Sequence, residues 1–449
     1  MRNRLQFLFN RLRERLWVKP LIACILSVGG VLLAQLADTI PIDWKVPEIA
    51  QGSVVDMLEI IAASMLGVAT FAVASMVSAY ASTGQSATAR AFPLIVADDV
   101  SQNALSIFVG AFIYAIVALS ATTNDYFGKA GRFTLFVLTL LTIVAVVLVF
   151  VRWVDSIARL GRLGAVIAKV EQATMAAMKR RQNDPWLGGV ALHDAPLGVP
   201  MYSERIGFLQ RVDMDLLQRC ATKHQLRISL AVLPGASVVP SRPLAHILND
   251  GVDSTSPAQA DLDKAFIIGP LRQFDDDPRF GLVVLAEIGC RALSPAINDP
   301  GTAIAILDTL HRLFALWGRQ AEHAEPECSR VSVPCLVLGD MVEESFTAIA
   351  HDGAHLVEVA LHVQRVLGEI GTCDDATTRT AARHHAGLAL ARAERALDFA
   401  PDLAQVRLCH ARYGNLASRR ASRSLKTAPS QPFVASGTTT CSSERPNDA

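Results

Sequence analysis

The chain has 449 residues, 51% of them hydrophobic, and its 42 basic and 42 acidic residues give a formal net charge of zero. That length admits two or three domains, and the positive mean hydropathy exceeds what a soluble protein usually shows. The charge balance argues against a global basic field for nucleic acid, and eight cysteines without a C-x-x-C pair argue against a disulfide scaffold or zinc ribbon.

Residues 1–20 interleave Arg2, Arg4, Arg11, Arg13, Arg15 and Lys19 with Leu5, Phe7, Leu8, Leu12, Leu16 and Trp17, which reads as an amphipathic helix lying in a membrane interface. Four apolar runs follow within residues 21–154, at 21–37, 57–81, 104–121 and 133–154. Each is near the ~20 residues that cross ~30 Å of hydrocarbon. The first run also has the look of a signal peptide, but the long basic region and the three later spans favour a membrane helix. Lys and Arg are dense in the N-terminal segment and again after the last span, at Arg152, Arg159, Arg162, Lys169, Lys179, Arg180 and Arg181, whereas the first connection holds only Lys45. Both termini are therefore expected in the cytoplasm, with Lys129 and Arg132 opposing weakly. No ionisable residue lies at mid-span, which argues against a buried carboxylate relay. Gly67, Thr70, Ala74, Ser78 and Ala81 share one face of the second span, a small-residue stripe suited to helix packing, to oligomer formation or to lining a pore.

Residues 155–184 continue in helical period past Gly161 and Gly164 and read as a basic helical stalk and linker, with Asn183-Asp-Pro-Trp186 and Gly188-Gly189 as break signals. Residues 185–270 read as a small α+β cytoplasmic domain, with strands at 206–212, 226–233, 238–239, 244–248 and 265–268 and a helix at 213–224. Residues 271–412 are helical in pattern apart from a connection at 325–334, and residues 413–449, rich in Ser, Thr, Arg and Pro, read as a disordered tail. The fold class expected is a membrane α-helical protein of four transmembrane helices followed by a cytoplasmic α+β domain that is mostly helical.

The most informative stretch is Arg291-Ala-Leu-Ser-Pro-Ala-Ile-Asn-Asp-Pro300, where two apolar helical patterns meet. Asp299 supplies a side-chain oxygen for orphan N–H groups and Pro300 a fixed φ, so a helix is expected to begin at Pro300. Pro295 stops the preceding helix from running through and makes 294–298 a tight connection.

This motif, with Gly207-Phe-Leu-Gln-Arg-Val-Asp213, Pro234-Gly235, Gly269-Pro-Leu-Arg272 and Asp277-Pro-Arg-Phe-Gly281, resembles the bacterial membrane proteins catalogued as domain of unknown function 2254. The resemblance runs from the first span to about Gly371. It implies four membrane helices followed by a cytoplasmic domain, and no established activity; the location expected is the bacterial inner membrane. The chain departs from the family pattern at Gln273, where Thr is expected, and at Asp276, where Gln is expected.

Two constellations stand out. Arg272, Asp277, Arg291, Asn298 and Asp299, with Asp275, Asp276 and Arg279 nearby in sequence, lie at the ends of expected elements and offer a polar site for a small anionic ligand. Capping and surface pairing account for the same residues without a ligand. His351 and His355, four apart and followed by Glu358 and His362, form a candidate metal clamp on one helix face, against the simpler reading as solvated or core histidines. No Walker A, G-x-S-x-G, H-E-x-x-H or Rossmann glycine pattern occurs in a suitable context, and no cofactor is identified. The function expected is an oligomeric, non-enzymatic inner-membrane protein, channel-like or sensory, with a cytoplasmic ligand-responsive domain. Its partners are the lipid bilayer, further copies of the chain and a small anion, not nucleic acid. The alternative is a membrane-anchored enzyme built around Asp277, Arg291 and Asp299.

Overall fold

The computed structural model describes residues 18–427 apart from 39–46, 48, 87, 97–98, 161, 194–197, 250–260, 318–324 and 374. Most of the amphipathic segment expected at 1–20 lies outside the described residues. The chain divides into two units, Met1–Val166 and Ile167–Ala449.

The first unit is built on α1 (Val18–Ala37), α2 (Gln51–Ser86), α3 (Asp99–Thr123) and α4 (Lys129–Leu160), with a short helix at Phe92–Val96 before α3. None of the four carries a proline beyond its first turn, so nothing interrupts their hydrogen-bond ladders. Each contains a stretch long and apolar enough to cross a membrane: Val18–Ala37, Gln51–Ser82, Val100–Thr123 and Lys129–Arg159. α3 packs against the other three. Its buried residues Ala104, Phe108, Ala111, Ala115 and Ala118 recur at spacings of four and three, and four of the five are alanine, which lets neighbouring backbones approach. At one such approach Ser27 Oγ donates to the Gly110 carbonyl at 2.8 Å. Asp38, just past the end of α1, accepts from Gly128 N–H and Gly131 N–H at 2.7 Å each and so caps the start of α4. Large apolar side chains such as Leu26, Ile60, Phe71, Leu148 and Val151 point outward, a surface that water would penalise and hydrocarbon would not.

The helix expected to run on without a stop from 154 to 178 is described as two helices. α4 ends at Leu160 and a separate helix, α5 (Leu163–Asn183), begins three residues later. Gly164 stands in the first turn of α5, and glycine within a helix costs about 1 kcal/mol relative to alanine.

The second unit holds two sheets and a helical array. The five-stranded sheet has the order β1-β8-β4-β6-β2, from β1 (Val190–Ala191), β2 (Val199–Met201), β4 (Leu226–Leu230), β6 (Ala245–Asn249) and β8 (Val331–Val333). β4 alternates buried Leu226, Ile228 and Leu230 with less buried neighbours, the period-two pattern of a strand with one face on a core. β4 and β6 are antiparallel, while β8 lies parallel to both β4 and β1. The segment read as a connection at 325–334 thus contains an interior strand of the sheet, anchored by buried Val331 and Val333. A smaller antiparallel sheet, β5-β3-β7, uses β3 (Gly207–Val212), β5 (Ser237–Val238) and β7 (Phe266–Gly269). Between β3 and β4 runs α6 (Met214–Lys223), capped by Asp213.

The helices that follow are α7 (Pro278–Ala292), α8 (Pro300–Trp317), α9 (Leu338–Asp352), α10 (Val357–Ile370), α11 (Ala376–Ala396) and α12 (Ala400–Thr427). α7 packs on α8 and α9, and α10 packs on α8, α11 and α12. α12 runs to Thr427, so the disordered tail expected from 413 begins too early; residues 428–449 lie outside the described residues.

Candidate functional site

Among the described residues of the second unit the most buried acid is Asp277, whose side chain is 3% exposed. It stands immediately before α7, where Pro278 supplies the fixed φ of a first helical position. Its Oδ1 accepts from Phe280 N–H at 3.2 Å and its Oδ2 from Arg272 Nε at 2.7 Å, so one carboxylate caps the helix and holds an arginine. The Arg272 guanidinium lies 5.2 Å from the centre of the Phe280 ring, and Phe274 packs against the same ring at 4.6 Å. Gly235, at φ +95°, passes so close to Asp277 that a Cβ there would overlap the carboxylate. The Pro234-Gly235 turn is therefore part of the wall around Asp277. Burial pushes the Asp277 pKa above the ordinary carboxylate value, and the Arg272 and Phe280 hydrogen bonds only partly offset it.

Arginines surround this helix start. Arg279 makes a two-pronged bond to Glu344 of α9, at 2.9 and 2.5 Å, and lies 3.5 Å from Asp340. Arg211 of β3 approaches Asp276 at 3.7 Å, and burial holds the Asp276 carboxyl above its ordinary pKa against that arginine. Arg180 of α5 donates to the Asp275 carbonyl. α5 is held against this region by small-residue contact, since Gly281 of α7 meets Thr174 too closely to admit a Cβ. A further tie is the Glu171 carboxylate, which accepts from Arg312 of α8 at 2.8 and 2.9 Å.

The residues at the other end of α7 form a separate group. Arg291 is in the last turn, and the chain then turns through Ser294–Asn298 bonds, Ile297 N–H to Ser294 O at 3.0 Å and Asn298 N–H to Ser294 O at 2.9 Å. Asn298 adopts φ +48°, the left-handed conformation that asparagine tolerates better than most residues. Asp299 then accepts from Thr302 N–H at 3.0 Å and from Thr302 Oγ1 at 2.6 Å, which caps α8 and, through the Thr302 hydroxyl first, lowers the carboxyl pKa. The expected convergence of Asp277, Arg291, Asn298 and Asp299 on one pocket is corrected on simple geometry. Fourteen residues of helix separate Asp277 from Arg291, about 21 Å at 1.5 Å per residue. Arg272 and Asp277 belong together; Arg291, Asn298 and Asp299 belong elsewhere.

The His351–His355 clamp is also corrected. α9 stops at Asp352 with Gly353 as its cap, and α10 starts only at Val357, so the two histidines do not share a helix face. Gly353 N–H bonds back to Ile349 O, the closing bond of a glycine-capped helix end. His351 Nδ1 pairs with its neighbour Asp352 at 2.8 Å, while His362 Nε2 pairs with Asp308 at 2.7 Å and Arg365 lies on both. Among the described residues no group of three His, Cys, Asp or Glu side chains is placed to hold a metal ion.

Sequence reasoning missed Arg181. In sequence it is one of the basic residues of the stalk, yet its side chain is in the interior, with the residue 4% exposed. Its Nε, Nη1 and Nη2 find no hydrogen-bond partner among the described residues. The signal available in the sequence was α5's pattern of buried Val166, Val170, Thr174, Ala177, Met178 and Arg181, which places Arg181 on the apolar face.

Comparison with known proteins adds a family but no chemistry. Uncharacterized proteins of Mycobacterium bovis and of Mycobacterium tuberculosis strain H37Rv are each 29% identical over 222 residues, 46% of this chain and 42% of theirs. The match thus spans less than half the length of these relatives. No solved structure matches the chain. The family model of predicted membrane proteins catalogued as domain of unknown function 2254 matches residues 13–369, and the chain belongs to that family.

Proposed function

We propose that this chain is an oligomeric multi-pass protein of the bacterial inner membrane, channel-like or sensory rather than catalytic, with both termini and a ligand-responsive second unit in the cytoplasm. The observation that carries the oligomeric reading is the small-residue face of α2. Gly67, Thr70, Ala74, Ser78 and Ala81 are exposed, and no heavy atom of another element lies within 4 Å of where a Gly67 Cβ would stand. By contrast, the alanine face of α3 is fully used inside the unit. Part of the α2 face opens into a recess lined by Ala74, Ser75, Ser78 and Ser82 with Ile157 and Ala158 of α4. Such a face lets a second copy approach closely, and its hydroxyls can wet a narrow path. The non-catalytic reading is supported by what the acids and thiols already do. Asp277 and Asp299 cap helices, and burial raises the pKa of Cys220, Cys290, Cys328 and Cys409, Cys290 to about 12 beside Asp352. None of these four thiols is poised as a nucleophile.

Cysteine cross-linking in native membranes tests the reading. In a Cys24→Ser background, Ala74→Cys and Ser78→Cys are expected to form disulfide-linked dimers under mild oxidation, whereas Leu26→Cys, on an outward apolar face of α1, is not. Equal cross-linking at all three positions would count as random collision and sink the α2 interface.

A further inference from the structure

We propose that Arg181 anchors a buried site for a small soluble oxyanion, a carboxylate or a phosphate group held by the guanidinium fork. The inference deepens the ligand-responsive reading of the second unit and rests on it. A guanidinium stays charged and carries five N–H donors, so burial without partners leaves both a charge and its donors uncompensated. Arg181 is in that position: the residue is 4% exposed and all three nitrogens are unpartnered among the described residues. The carboxylates that act on it electrostatically bond to other groups. Asp184 Oδ1 accepts from Gly188 N–H at 2.6 Å, Asp276 pairs with Arg211, and Asp277 holds Arg272 and the Phe280 N–H. These three carboxylates act on Arg181 only at a distance, which moderates the fall in its pKa that burial causes.

The flanking side chains fix the helix on either side of it. Arg180 donates to the Asp275 carbonyl and Gln182 Nε2 to the Trp317 carbonyl at 3.2 Å, so Arg181 is not free to swing out to solvent by local rotation of α5. With Arg211, Arg272 and Arg279 each bonded to a carboxylate, Arg181 is an arginine of this cluster whose N–H fork meets no acceptor among the described residues. Water would satisfy its N–H groups only one at a time. A two-oxygen acceptor satisfies two at once, because the guanidinium fork matches carboxylate and phosphate geometry.

The test uses the full chain purified in detergent, with thermal unfolding followed in inorganic phosphate or acetate against chloride at equal ionic strength. Wild-type protein is expected to show a saturable rise in Tm with an oxyanion. Arg181→Met is expected to lose that rise while its Tm in chloride stays level or increases, since it removes buried N–H donors that have no acceptor among the described residues. Arg181→Lys keeps the charge without the fork and is expected to saturate only at higher concentration. If Arg181→Met fails to fold, the lysine variant decides: an anion response identical to wild type overturns the site. An equal rise in wild type and Arg181→Met also overturns it, yet leaves the ligand-responsive reading standing because the anion then acts elsewhere. No rise in any form overturns the site and removes the small-anion basis of that reading together.

Discussion

Asp299 gives both of its oxygens to Thr302, and that geometry predicts its mutants. Asp299→Ala is expected to lose about 0.5–2 kcal/mol of stability, and Asp299→Ser or Asp299→Asn much less, because each still accepts the first-turn N–H. Chemical denaturation monitored by tryptophan fluorescence checks the order. The pH dependence follows from the lowered pKa. The contribution is complete above the ordinary carboxylate value of about 4 and is lost as pH falls through the lower folded value. Asp277 carries the opposite sign, because burial raises its pKa, so its share of stability increases as pH falls from above the raised value to below the ordinary one. Asp277→Ala leaves Arg272, whose side chain is 18% exposed, without its carboxylate, and a loss of about 3 kcal/mol is expected for breaking a pair this buried. Gly235→Ala is expected to destabilise the same place from the other side, by forcing a Cβ onto the carboxylate at a φ that alanine disfavours.

At the scale of elements, the start of α4 depends on a residue that follows α1. Asp38→Ala is expected to lower thermal stability in detergent by about 1 kcal/mol, the usual value of a cap, and Gly131→Ala to lower it further because its Cβ would meet the Asp38 carboxylate. Finding Asp38→Ala as stable as wild type would show that the cap adds nothing to the packing of α1 and α4. The elements legible in sequence were those with sustained period: the four apolar runs, the alternation of Leu226, Ile228 and Leu230, and Asp299-Pro300 opening a helix. Those that were not legible depend on distant partners or on one residue. β8 is three residues long and becomes a strand because β4 and β1 flank it. Gly353 ends α9 where a periodic reading carries the histidines straight on. For the candidate site, Arg272 and Asp277 were found because they flank a Pro-marked helix start, whereas Arg181 was hidden in a run of basic residues whose apolar neighbours give the face away.

At the scale of the whole molecule, the distribution of Lys and Arg predicts that a reporter fused after Arg181 is active only in the cytoplasm and one inserted near Trp44 only outside. The reverse pair of signals would end the assignment of both termini to the cytoplasm. Ordinary membrane insertion and this topology would hold equally for a monomer, so neither reaches the proposal that α2 builds an assembly. The direct measurement is the mass of the detergent-solubilised protein by light scattering, with the detergent contribution subtracted. A whole-number multiple of the 48.3 kDa chain, falling toward one chain when Ala74→Leu fills the small-residue face, is the predicted result. A single chain at every protein concentration, unchanged by Ala74→Leu, would contradict it.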